Sequence, residues 1–195
     1  MYINLFLFLI IFFFFICDSS KTHKPEWVEN VVFNINDERL SPYYVLSDSS
    51  TMFRPPKDWI QGDELVVSTL NQNLGNDHVV PISAELIFTS SLGSIIIVSK
   101  IKSEKNNFDY IPNDFLELMK SEHKLDSIPN YSFMINNLLV RQYKIDLKDV
   151  IIFKYFIESN NNYQLDFILN KQEDNKQIES IESSIGSLTR KGDKK

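Results

Sequence analysis

The chain predicts an α+β domain, an antiparallel sheet built from hairpins with helices packed against it. Three observations point there. Runs of Ile, Val, Leu, Phe and Tyr follow one another, separated by short turns of Asn, Asp, Gly and Ser. Two other stretches carry their apolar residues at helical spacing. Glycine is scarce, 5 residues in 195, and no repeat or second domain is visible. The order along the chain is an apolar leader over 1–17, a polar tether over 18–30, one domain over 31–190 and a basic tail over 191–195.

Within the domain, Trp27 to Ile35 is expected to begin the first strand. Phe53-Arg54-Pro55-Pro56-Lys57-Asp58-Trp59 is extended and then turns, because two prolines fix φ and remove hydrogen-bond donors. Leu65 to Leu70 predicts a short strand, followed by a loop over Asn71 to Asp77 with Gly75-Asn76 as its turn. Ala84 to Thr89 and Ser94 to Ile101 form a hairpin around Ser90-Ser91-Leu92-Gly93. Asn113 or Asp114 can cap a helix ending near Glu122 or Leu125, its apolar face made by Phe115, Leu116, Leu118 and Met119. Four strands follow: Ser132 to Ile135, Leu138 to Leu147, Val150 to Glu158 and Tyr163 to Leu169, with Asn136-Asn137, Lys148-Asp149 and Ser159 to Asn162 as turns. In the last strand Tyr163, Leu165, Phe167 and Leu169 alternate with Gln164 and Asp166, so one face is wetter. Asp174 or Asn175 can cap a closing helix whose stripe is Ile178, Ile181, Ile185 and Leu188.

The leader supplies an address. Leu5 to Ile16 is entirely Leu, Ile and Phe, and Cys17 precedes the polar Asp18-Ser19-Ser20-Lys21. The run is short of the roughly 20 apolar residues that a membrane span needs and fits a signal-peptide core, although no Lys or Arg precedes it. Two endings compete. Phe14-Phe15-Ile16-Cys17 is similar to the lipobox of bacterial lipoproteins in the depth of its cysteine, but has Ile16 where Gly, Ala or Ser is usual and Phe14 where Leu is usual. Ordinary cleavage after Ser19 would instead release a secreted protein. An uncleaved short anchor is the third reading. Lipidation of Cys17 ranks first, because a lone cysteine at this boundary is otherwise a coincidence.

Composition narrows the partners. The net charge of −6 lies wholly outside the leader, and a mildly acidic chain has no electrostatic footprint for nucleic acid. Arg190, Lys191, Lys194 and Lys195 read as a solvated helix end. With one cysteine no intrachain disulfide forms, so the fold rests on packing. A sequon begins at Asn130, in an Asn-rich chain where such a match arises by chance.

The order of elements, with Phe53-Arg54-Pro55-Pro56-Lys57-Asp58-Trp59, Ile135-Asn136-Asn137-Leu138 and Tyr163-Gln164-Leu165-Asp166-Phe167 leading to Ile181-Glu182-Ser183-Ser184-Ile185, resembles the PsbP-like superfamily over residues 30–190. That group includes DcrB-type bacterial lipoproteins and a nuclear-import factor that binds the GTPase Ran. The terminal Ser-Phe of the family is missing, with Ser187-Leu188 nearest to it. The resemblance implies an α/β/α sandwich around an antiparallel sheet, and adaptors or assembly factors rather than enzymes.

No constellation of residues points to catalysis. His23, His78 and His123 do not lie at metal-ligand spacing, and Asp77 with His78 is the one pair worth checking. Ser90-Ser91-Leu92-Gly93-Ser94 lacks a nucleophile elbow, and Gly75, Gly93 and Gly186 are too isolated for a phosphate loop. Glu117 with Glu122, or Asp146 with Asp149, are carboxylates that folding can pair. Trp27, Trp59, Tyr43, Tyr44 and Phe53 are concentrated early in the domain, and Trp59, Phe53, Tyr43 and Tyr44 make a candidate interaction surface if exposed and a core if not. The expectation is a non-catalytic, cofactor-free, extracytoplasmic protein, lipid-anchored to a bacterial membrane on its periplasmic side or at the cell surface, that binds another envelope protein. The alternative is a small-ligand carrier with an aromatic-lined pocket.

Overall fold

The computed structural model describes residues 28–74, 81–102, 110–172 and 174–193. The leader with Cys17, the tether as far as Trp27 with His23 in it, the Gly75-Asn76 turn, the Asp77–His78 pair and Lys194 and Lys195 of the tail lie outside these. The strands are β1 (Glu29–Asn30), β2 (Tyr44–Val45), β3 (Thr51–Phe53), β4 (Ile60–Gln61), β5 (Ile82–Thr89), β6 (Ile95–Ile101), β7 (Asn130–Ile135), β8 (Leu138–Asp146), β9 (Val150–Glu158), β10 (Tyr163–Asn170) and β11 (Thr189–Arg190). The helices are α1 (Glu64–Leu74), α2 (Tyr110–His123) and α3 (Asp174–Gly186). One eight-stranded sheet has the order β1-β7-β8-β9-β10-β6-β5-β4, and a small sheet has the order β11-β3-β2. All pairings are antiparallel except β1 with β7.

The central hairpins form where the turn residues demand. Asn136 and Asn137 both have positive φ, 45° and 63°, which this two-residue turn requires and Asn tolerates better than most residues. In the Ser90–Ser94 turn the Ser90 hydroxyl accepts from Ser94 N–H at 2.9 Å and Leu92 N–H at 3.2 Å, so these serines serve the loop. Gly93 supplies the φ of 82° that completes it.

Alternation along the strands sends side chains to two separate cores. On β9, Phe153, Tyr155 and Ile157 face the larger cluster, which contains Ile181 and Ile185 of α3 and Leu188 just after it. Ile152 and Phe156 face the other way, toward Phe115, Leu116 and Met119 of α2. Helices on both sides make an α/β/α sandwich. Phe115, Tyr143 and Phe156 meet edge to face at 5.5–6.0 Å between ring centroids. On the same face Lys154 pairs across the strands with Asp166 at 2.6 Å, Gln164 donates to the second Asp166 oxygen at 2.7 Å, and the Lys154 ammonium sits 4.7 Å from the Phe115 ring centre. Both charges are nearly buried, so removing either partner would strand the other. Burial also pushes up the phenol of Tyr143, against the charge of Arg141, and that of Tyr155, where Glu182 adds to the effect.

Several expectations are corrected, the loop beginning at Asn71 among them, since α1 runs on to Leu74. Leu65 to Leu70 is helical: Asp63 accepts the Val66 N–H at 3.0 Å, and this cap outweighs the strand preference of Val66 and Val67. The first strand is only Glu29–Asn30, after which the chain is irregular. The α3 helix begins at Asp174, so Asp174 and Asn175 lie in its first turn, and α2 begins at Tyr110, three residues before Asn113. Leu188 lies beyond α3, and Arg190 belongs to β11 rather than a helix end, with Lys191 N–H donating to Ser50 O at 2.6 Å.

Candidate functional site

The site grows from the outer edge of the large sheet. Strand β4 pairs only with Phe88 and Thr89, so the earlier part of β5 would present an open edge. A bulge between Ala84 and Leu86 bends β5 there and places Glu85 out of register. Helix α1 covers this stretch. The side-chain amide of Asn71 accepts from Ala84 N–H at 2.8 Å and donates to Ala84 O at 2.9 Å, closing both exposed backbone groups. Val67, Leu70 and Asn71, at spacings of three and one, form the half-buried stripe of α1. Leu65 and Val66 fall off that stripe. They are 72% and 47% exposed, and Ile60 on β4 is 73% exposed. Trp59, just before Ile60, is half-buried against the larger core.

Between β4, α1 and β5 lies a hollow of about 450 Å³ lined by Gln61, Asp63, Glu64, Ser68, Asn71 and Glu85, together with Gly62 and Val67. Glu85 is held by Ser47, whose N–H donates to it at 3.4 Å and whose hydroxyl donates to its other oxygen. The Tyr163 hydroxyl accepts from Asp48 N–H at 2.8 Å and lies 3.2 Å from the Ser47 hydroxyl. Burial pushes the Tyr163 phenol up, the hydrogen bonds from Ser47 and Asp48 oppose this, and the charges of Glu85 and Asp48 add to it. Asp48 in turn fastens the β2–β3 turn. Burial works against its charge, but hydrogen bonds from Thr51 and Ser50 outweigh burial and hold its carboxyl below the usual aspartate range. A second hollow, about 470 Å³, lies at the far ends of β9 and β10 between Gly93, Lys148, Asp149 and Gln172. Neither hollow has an aromatic residue in its walls, unlike the carrier pocket that was the alternative expectation.

The four aromatics of the candidate surface separate. Phe53 is fully buried and belongs to the core, which corrects its place on an interaction surface. Tyr44 is half-buried and packs edge-on to Phe88 at 5.0 Å. Tyr43 lies under the Arg54 guanidinium, 5.4 Å from its ring centre. Phe53, Tyr44 and Trp59 thus anchor the chain beside α1, while the exposed apolar groups are Ile60, Leu65 and Val66. Sequence reading missed these, because the strand assigned to Leu65–Leu70 would have buried alternate residues. Neither carboxylate pairing forms a site: Glu117 bonds Lys120 at 3.2 Å, and Asp146 pairs with Lys171. The Lys171 hydrogen bond lowers the Asp146 pKa, burial opposes this, and the charges of Lys171 and Lys144 reinforce it. Among the described residues no group of His, Cys, Asp and Glu is placed to hold a metal ion, and no helix is long and apolar enough to cross a membrane.

No family model matches the chain, and no curated protein matches it in sequence. A solved structure to which it is similar is the solution structure of cyanobacterial PsbP (CyanoP) from Synechocystis sp. PCC 6803, with a TM-score of 0.50 and 12% identity. The match covers 83% of this chain and 98% of that one. What the two share is the architecture, the antiparallel sheet between helices, and on that ground this chain has a PsbP-like fold.

Proposed function

We propose that this protein is a non-catalytic adaptor or assembly factor working outside the cytoplasm, held to a bacterial membrane by lipid on Cys17, and that it binds another envelope protein through the corner formed by β4 and α1. One observation carries the binding role: Ile60, Leu65 and Val66 are each exposed in the short stretch of chain at the edge of the sheet that follows the core-anchored Trp59. Single exposed apolar residues are ordinary, but three on adjoining short elements at a sheet edge are a contact surface in waiting. The address rests on the leader, whose apolar core ends at Cys17. Simple cleavage and secretion is the competing outcome, and the intact mass of the mature protein separates the two.

The binding role is tested by placing a photoreactive amino acid at Leu65 in the full chain, with Tyr131 as control. Tyr131 is also exposed, on β7 near the opposite edge of the sheet. Irradiation of intact cells is expected to give a discrete adduct from position 65 and none from position 131. No adduct from position 65, or the same adducts from both, would overturn the assignment.

A further inference from the structure

We infer that the partner adds an extended strand to the edge of β5, pairing with Ile82 and Ala84 where α1 covers them in the free protein. This rests on the β4–α1 corner being where the partner docks, and it states the form in which the partner docks there. The direction of the backbone groups carries it. On β6, Ile101 N–H donates to Asn162 O, away from β5, while Lys102 N–H donates to Pro81 O. Backbone groups alternate sides along a strand. In the register Ile82↔Ile101, Ser83↔Lys100 and Ala84↔Ser99 it is therefore Ser83 that bonds β6. The N–H and C=O of Ile82 and Ala84 point the other way, toward the outer edge. Strand β4 does not reach them, since its line of bonds stops where Gly62 N–H donates to Ile87 O.

A side chain stands in for the missing strand. Asn71 accepts from Ala84 N–H and donates to Ala84 O, the two bonds that a facing strand residue would make. An added strand would reach Ile82 as well, and so meet four backbone groups where Asn71 meets two. Its residue opposite Ala84 needs an N–H and is not proline. The competing helix is lightly held. None of the described side chains of α1 is buried, and only Val67, Leu70 and Asn71 are half-buried. An element with so little buried surface detaches locally while the sheet stays folded. A partner that laid a helix over Leu65 and Val66 would instead leave α1 in place, and the test separates the two.

A random peptide library is selected on the immobilised full chain, and one selected peptide is measured by calorimetry. Ile82→Pro removes an N–H that neither β6 nor Asn71 uses, at the first residue of β5, where proline is tolerated. Ile82→Ala is its control, losing the side chain but keeping the N–H. The peptide is expected to bind Ile82→Pro at least about fivefold more weakly than Ile82→Ala. Asn71→Ala should bind it at least about twofold more tightly than wild type, because the open edge is more populated. In wild type the peptide should slow amide exchange at Ile82 and quicken it from Val67 to Leu70, a readout that holds even if Ile82→Pro does not fold. Unchanged exchange at both places would overturn the inference. If Ile82→Pro and Ile82→Ala bind alike while Leu65→Ser with Val66→Ser loses binding, strand addition is wrong and the corner stands. If no variant changes affinity, or the library does not enrich, the corner itself is wrong.

Discussion

Helices α3 and α1 are of similar length, 13 and 11 residues, and they use their apolar residues in opposite ways. In α3, Ile181 and Ile185 are buried, and the serines beside them are built into the fold. Ser184 donates its hydroxyl to Arg54 O at 2.6 Å, the Ser187 hydroxyl accepts from Arg54 N–H at 2.8 Å, and Ser183 accepts from Asn36 N–H at 3.1 Å. Just beyond the helix, Leu188 is also in the core, with its carbonyl accepting from Asn136 at 2.7 Å. In α1 only a narrow stripe touches the sheet, and Leu65 and Val66 face solvent. An apolar residue on a helix is evidence of packing when it lies on the stripe and of a contact when it lies off it.

That contrast can be broken at several points. The largest effect is expected from Ile185→Ala, which should cost about 2–5 kcal/mol in urea unfolding because the site is fully buried. Gly186→Ala should cost about 1–3 kcal/mol, since a Cβ there would lie 2.5 Å from the Phe33 Cβ and 3.1 Å from Ile35 Cγ1. A value near zero would mean that the 31–36 segment moves aside and that α3 is less tightly enclosed.

Asp48→Asn probes the brace that carries Ser47 to Glu85. The folded carboxyl has a lowered pKa, so its stabilisation is complete above the usual aspartate range and is lost as pH falls through the folded value. The variant should therefore lose stability at neutral pH and show a shallower decline in acid, read as urea midpoints across pH 2 to about 6. Parallel curves for variant and wild type would remove Asp48 as the brace. Smallest of all, Leu65→Ser with Val66→Ser should change unfolding by no more than about 0.5 kcal/mol per site, as expected for surface positions. A loss comparable with that of Ile185→Ala would turn α1 into a second α3.

The sequence made α3 readable and hid α1 for the same physical reason. Ile178, Ile181 and Ile185 repeat at helical spacing over a long window, and the strand Val150–Glu158 lies where alternation and its turns place it. In α1 the apolar residues Leu65-Val66-Val67 are adjacent and partly β-branched, which imitates a strand, while the cap that decides the matter is a single side chain, Asp63. The two-residue strands β1, β2, β4 and β11 are too short to show any period. Trp59 packs half-buried against the larger core. The site itself was not legible, because the exposure of Ile60, Leu65 and Val66 and the bulge at Glu85 are consequences of packing between distant segments.

Native-state hydrogen exchange on the full chain tests the contrast most directly. The amides of α3 around Ile181 to Ile185 should exchange only through global unfolding, and those of α1 around Val67 to Leu70 through a local opening of clearly lower free energy. Protection of α1 up to the global value, in the protein alone, would contradict the account, because a helix fastened that firmly would have its apolar side committed to the fold and not to a partner.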